Sequence, residues 1–247
     1  MLKLYLSGSV RKSVLIIMLV FLFVCQAVSA ENLMITYSDD YKKNILVEKV
    51  RTISLPKGYH EDLYLDGEKI LISNGNDINT WVMDIGTGVL LSEIEPIGEF
   101  TEAMIPVGDI FWVTDWEDKK VYRVKIDDNK MYSEDERSLA PAHPAGMIQV
   151  REKVYIIIWT RSINGTKYHL VEFDLDGNVL RKIQITKILE PSQMTWDGSY
   201  LYITSWFSNI VYRIDVNVWK ITASFKSPAK KTSGIAYDGS HFWITGT

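Results

Sequence analysis

One pattern recurs five times along this chain and restricts what it can fold into: an apolar run, a tight turn, then a second apolar run. LYLDGEKILISNG (63–75) returns as MIPVGDIFWVTDW (104–116), MIQVREKVYIIIW (147–159), MTWDGSYLYITSW (194–206) and IAYDGSHFWITG (235–246). The turn positions Gly67, Gly108, Glu152, Gly198 and Gly239 are 41, 44, 46 and 41 residues apart. After each of the first four units a third apolar stretch ends near an aspartate, at Asp84, Asp127, Asp174 and Asp215. Fourth stretches such as VLLSEI, VLRKIQI and ITASF follow. Four short strands per repeat of this length, with no helical period, mark an all-β propeller. The spacing predicts a five-bladed β-propeller of four-stranded blades.

The two ends of the chain are incomplete in complementary ways. The fifth unit stops at Thr247 after two strands, while MITYSDD and NILVEKVRTISL near the N-terminus read as a third and a fourth strand. Pairing of residues 33–55 with 233–246 is therefore expected to complete the last blade and leave no sheet edge open. Residues 31–247 form a single domain on this reading.

Residues 1–30 have the layout of a secretory signal peptide. Lys3, Arg11 and Lys12 precede an apolar run from Val14 to Val24, and VSA ending at Ala30 offers small residues for cleavage. The run is shorter than the roughly 20 residues that cross a bilayer, so no membrane span is expected after processing. A lipid anchor on Cys25 is disfavoured because the bulky Val24 precedes it. An extracytoplasmic location follows as the expectation. Cys25 is the only cysteine, so the processed chain has neither a disulfide framework nor a thiolate nucleophile. Losing the three leader cations takes the formal charge from −4 to −7, which argues against nucleic acid as a partner.

In a propeller blade the first strand lines the central channel. The loop entering it and the turn between the second and third strands emerge on one face. Trp116, Trp159 and Trp206 each follow a second strand and are expected in that turn, gathered on a single face. Such a cluster is either a ligand surface or a set of wedges between blades. The loops entering strand one read GYHED (58–62), EFTEA (99–103), AHPAG (142–146), EPSQ (190–193) and KTSG (231–234). Glu61 and Glu102 fall at matching positions, with His60 and His143 close by. A carboxylate desolvated beside tryptophans is raised toward the range useful for proton transfer. The histidines lack zinc-site spacing, and no metal or other cofactor is called for.

The DG turns and YRID strands resemble secreted propellers of the virginiamycin B lyase-like group and, more closely, the glutamine cyclotransferases, which are five-bladed. EFTEAMIPVGDIFWVTDWEDKKVYRV is similar to the family's blade in which a GEGI loop brings the catalytic glutamate and a TW turn brings a pocket tryptophan. The resemblance implies those roles for Glu102 and Trp116. YLYITSWFSNIVYRID is similar to a later blade whose VW turn lines the same pocket, which implies Trp206. The chain departs from the family at 142–147, AHPAGM in place of GEGWGL, and at PSQM in place of LNEL.

Three functions compete at this point. The first is an exported, monomeric recognition propeller that binds a peptide, a glycan or an envelope protein through Trp116, Trp159, Trp206, Glu61 and His143. The second is a glutaminyl-peptide cyclotransferase using Glu102. The third is a lyase-like elimination with His143 as base.

Overall fold

The computed structural model describes residues 33–76 and 79–246. The leader expectation falls on residues outside these. The described chain is all-β. After β1 (Met34–Lys42), the strands come in consecutive antiparallel units. Unit one is β2 (His60–Asp66), β3 (Lys69–Asn74), β4 (Thr80–Asp84) and β5 (Leu90–Ile94). Unit two is β6 (Thr101–Val107), β7 (Ile110–Asp115), β8 (Lys120–Asp127) and β9 (Lys130–Ser138). Unit three is β10 (His143–Val150), β11 (Lys153–Ser162), β12 (Gly165–Phe173) and β13 (Val179–Ile185). Unit four is β14 (Pro191–Trp196), β15 (Leu201–Ser205), β16 (Ile210–Asp215) and β17 (Lys220–Lys226). A last pair, β18 (Thr232–Tyr237) and β19 (Phe242–Gly246), completes the series.

The first strands pack against one another in the order β2, β6, β10, β14, β18, and β18 packs against β2 again. The result is a propeller-like ring. Its core is made where the face of one unit meets the next. Met104, Val113 and Tyr122 of unit two meet Leu71 and Val82 of unit one, and Ala103, Ile105 and Trp112 meet Met147, Ile156 and Phe173 of unit three. Burial of this apolar area is the main stabilising term for a chain with no disulfide among its described residues.

The tight turns between first and second strands form where the sequence repeat places them. Gly67, Gly108, Gly198 and Gly239 all have positive φ, between 60° and 96°, a region that glycine enters without steric penalty. Unit three has no glycine there, and Arg151 adopts φ 57° instead.

The closure expected from the chain ends is corrected. β1 pairs in parallel with β13 through Met34 and Ile35, then with β17 through Thr36, Tyr37 and Lys42. It does not pair with β18 or β19, which form a two-stranded sheet. Units three and four thereby join into one nine-stranded sheet with β1 at its centre. The physical reason is that β1 reaches two open edges in turn, β13 with its first residues and β17 with later ones, whereas β19 offers one edge. Residues 45–56 adopt no regular structure. Ile45 packs against a cluster shared by units four and five, and Leu55 against one shared by units one and five.

Candidate functional site

Each first strand begins with a break in its pairing to the second. The register shifts between His60 and Asp62, Thr101 and Ala103, Pro144 and Met147, Pro191 and Met194, and Thr232 and Ile235. A bulge turns the extra residue out of the pleat and re-aims its side chain. In units one and two that residue is Glu61 and Glu102. The segments read from the sequence as entry loops are thus irregular strand openings.

On the same face, the turns after β3, β7 and β15 close by a repeated bond. The N–H groups of Gly75, Trp116 and Trp206 donate to the carbonyls of Tyr59, Phe100 and Glu190 at 2.9, 3.0 and 3.0 Å. Bulge and turn are in this way stitched together in three units. Between them lies a cavity of about 410 Å³, and Glu61, Glu102, Trp116, Trp159 and Trp206 all line it. Sequence reasoning missed Tyr59, Phe100, Ser192, Arg161 and Glu190, which also line it. Tyr59, Phe100 and Glu190 share one repeat position, just before the first strand, and that alignment was the available signal. Every lining residue comes from the first four units.

The three tryptophans differ in their surroundings. Trp116 and Trp206 lie in turns as expected, but Trp159 lies within β11, paired across to His143 and Tyr168. That hairpin runs on to Ser162 and Gly165, so the tight turn falls beyond Trp159. Its indole N–H donates to Pro191 O at 2.8 Å, a wedge between units three and four. Trp116 meets Trp159 edge-on at 5.3 Å, with the Arg161 guanidinium 5.3 Å from its ring. Lys231 lies 4.7 Å from the Trp206 ring.

His143 does not line the cavity. Its ring packs on Trp116 at 4.6 Å, and Nδ1 donates to Trp116 O at 3.0 Å. A carbonyl can only accept, so Nδ1 carries the hydrogen, and burial lowers the pKa of this ring. His60 is held by Asn74 Oδ1 and Pro56 O, at 2.7 and 3.0 Å.

Glu61 and Glu102 are 5% and 7% exposed. Loss of water pushes the Glu61 carboxyl up to about 8. Burial raises Glu102 well above the carboxylate range, with further pressure from Glu61, Asp62 and Asp115. Asp62 is also raised by burial, against the pull of the Leu63 and Met104 N–H groups. The cavity is therefore lined by two carboxyl groups, Glu61 and Glu102, whose protonated forms are favoured by burial, under aromatic walls. Such a pair can give or take a proton, or receive a cationic amine by losing one. Among the described residues no group of three or more histidine, cysteine, aspartate or glutamate side chains is placed to hold a metal ion, and no helix is long and apolar enough to cross a membrane.

No protein-family model matches the chain, and no curated protein matches it. Solved structures do. The fold is similar to Myxococcus xanthus glutaminyl cyclase, with a TM-score of 0.65 at 13% identity over 85% of this chain and 94% of that one. It is also similar to a chain of a nidogen/laminin complex, with a TM-score of 0.51 at 14% identity over 76% of this chain and 84% of that one. The likeness to the cyclase, a β-propeller, agrees with the resemblance carried by the sequence repeat. At these identities it establishes the fold.

Proposed function

We propose that the cavity takes the N-terminal residue of a peptide and that the chain cyclises N-terminal glutamine with release of ammonia. The observation that carries this reading is the buried carboxyl pair, Glu61 and Glu102, at the floor of a cavity walled by Trp116, Trp159 and Trp206. The peptide's α-amine lies toward Glu61, and its side-chain amide lies near Glu102 between the indoles. The amine nitrogen attacks the side-chain carbonyl carbon, forming the ring C–N bond. Glu102 gives its proton to the amide nitrogen, whose C–N bond breaks as ammonia leaves, and takes in exchange the proton that the attacking nitrogen sheds. The carboxyl ends as it began. Aromatic walls favour the reaction by holding the folded-back conformer that brings amine and amide together.

The test is ammonia release from N-terminal glutaminyl peptides. Glu102→Gln keeps shape and hydrogen bonding but removes the proton carrier, and a drop of about 100-fold or more in kcat with binding retained is expected. Wild-type protein that binds such peptides without releasing ammonia overturns the catalytic reading. The second reading, recognition of a peptide, glycan or envelope partner without turnover, then stands. It is favoured by Ala145 and Ser192 lining the cavity within the two segments where the chain departs from the cyclotransferase pattern.

The same reading takes the ring as five blades, the fifth with two strands, and takes residues 1–30 as an export leader cleaved after Ala30. The intact mass of the exported protein tests the latter, and retention of the leader sinks it.

A further inference from the structure

The bulged strand openings are tied to one another by side chains. Ser233 Oγ donates to His60 O, Ser192 Oγ to Ser233 O at 3.3 Å, and Thr114 Oγ1 to Ala145 O at 3.1 Å, each between adjoining units. One tie is longer. Gln193, fully buried on β14 of unit four, donates from Nε2 to the carbonyl of Glu102 on β6 of unit two, at 2.8 Å. Unit three stands between them, and there the chain has Gly146. A Cβ on Gly146 would lie 2.5 Å from Gln193 Oε1 and 2.4 Å from Ser192 O, closer than atoms can pack, so the amide passes directly over the glycine. At its other end Gln193 is clamped by Thr204. The Gln193 N–H donates to Thr204 Oγ1 at 2.8 Å, and that hydroxyl donates to Gln193 O at 3.2 Å.

A carbonyl at a bulge has left the ladder and, when buried, must find another donor. Whatever supplies that donor fixes the local backbone, and the backbone fixes where the side chain points. We propose that Gln193 is a positioning residue for Glu102, a strut across the channel that sets the bulge from which this carboxyl reaches the cavity floor, with Gly146 as the gap that admits it. The proposal rests on the reading of Glu102 as the acid-base group.

The experiment follows Glu102 itself by carboxyl carbon NMR against pH in the full chain, with the signal assigned by its loss in Glu102→Gln. Gln193→Met keeps the length and removes the donor, and Gly146→Ala closes the gap. Ser233→Ala removes a neighbouring tie, to His60 O, that does not touch Glu102 and lies outside the cavity lining. In the first two variants the Glu102 midpoint is expected to fall by about one pH unit or more, a tenfold loss of proton affinity, as water reaches a loosened bulge. In Ser233→Ala it stays near the wild-type value. With glutaminyl peptides, kcat falls in the same two variants while KM holds. An unchanged midpoint in folded Gln193→Met and Gly146→Ala overturns the proposal, as does an equal change in Ser233→Ala. Where Gln193→Met does not fold, Gln193→Asn, one methylene short of Glu102 O, gives the same comparison. Failure of the wild type to release ammonia sinks the cyclase reading and leaves the titration to decide this one.

Discussion

At the scale of single residues, the floor carboxyls make stability depend on pH in an unusual direction. Glu61 holds its proton up to about 8 in the folded chain, far above its value in an unfolded one. Between those values the folded state binds more protons than the unfolded state, so raising pH weakens folding. The contribution is complete below the unfolded pKa and is lost as pH rises through the folded one. Glu102 acts with the same sign. Glu61→Gln should therefore be less stable relative to wild type at pH 5 than at pH 8, the difference changing by up to about 1.4 kcal/mol per pH unit. Urea unfolding of both proteins at four pH values checks this. Parallel curves would mean that Glu61 titrates as an ordinary surface carboxylate. The sequence paired Glu61 with Glu102 by repeat position and let a raised carboxylate beside tryptophans be expected, but not how deeply these acids are buried. Desolvation depends on Tyr59, Phe100 and the tryptophans closing over the acids, and those contacts arise only when four units meet.

At the scale of elements, the tryptophans answer differently because they sit on different backbone. Trp159 is part of a strand, hydrogen-bonded to unit four and packed at 5.1 Å against Tyr168. Trp206 caps a turn whose closing bond uses only its backbone N–H. Trp159→Ala should cost about 2–3 kcal/mol in urea unfolding, and Trp206→Ala under about 1 kcal/mol while weakening peptide binding. The reverse ranking would exchange the roles of wedge and ligand wall. The sequence held a sign of this difference. Asn164 and Gly165 form a hairpin signal, so the turn of unit three belongs there rather than at Trp159. The glycine turns of four units were legible for the same local reason. The bulges were not, since HEDLYLD and TEAMIPV carry no residue that demands one, and only the crowding of first strands around the channel produces it.

At the scale of the molecule, the N-terminal segment does a different job from the one its alternation suggests. Read locally, residues 33–55 look like the missing half of unit five. In the fold, β1 lies between β13 and β17, with Ile35 fully buried and Thr186 Oγ1 donating to its carbonyl at 3.1 Å. The segment beyond it packs Ile45 and Leu55 on the clusters that join the fifth unit to units four and one. Two truncations separate these contributions. A chain starting at residue 43 loses the bridge between units three and four, and one starting at residue 58 loses that packing as well. The first should lower Tm by about 10 °C, corresponding to about 3 kcal/mol at this size. Hydrogen exchange in it should rise at β13 and β17 before β19, because those two edges lose the strand that lies between them. The second truncation should then add fast exchange at β18 and β19. Since β1 itself supplies no wall of the cavity, the first truncation should retain peptide binding at temperatures where it is folded. Exchange that rises only at β19 in the first truncation would mean that β1 completes the fifth unit after all.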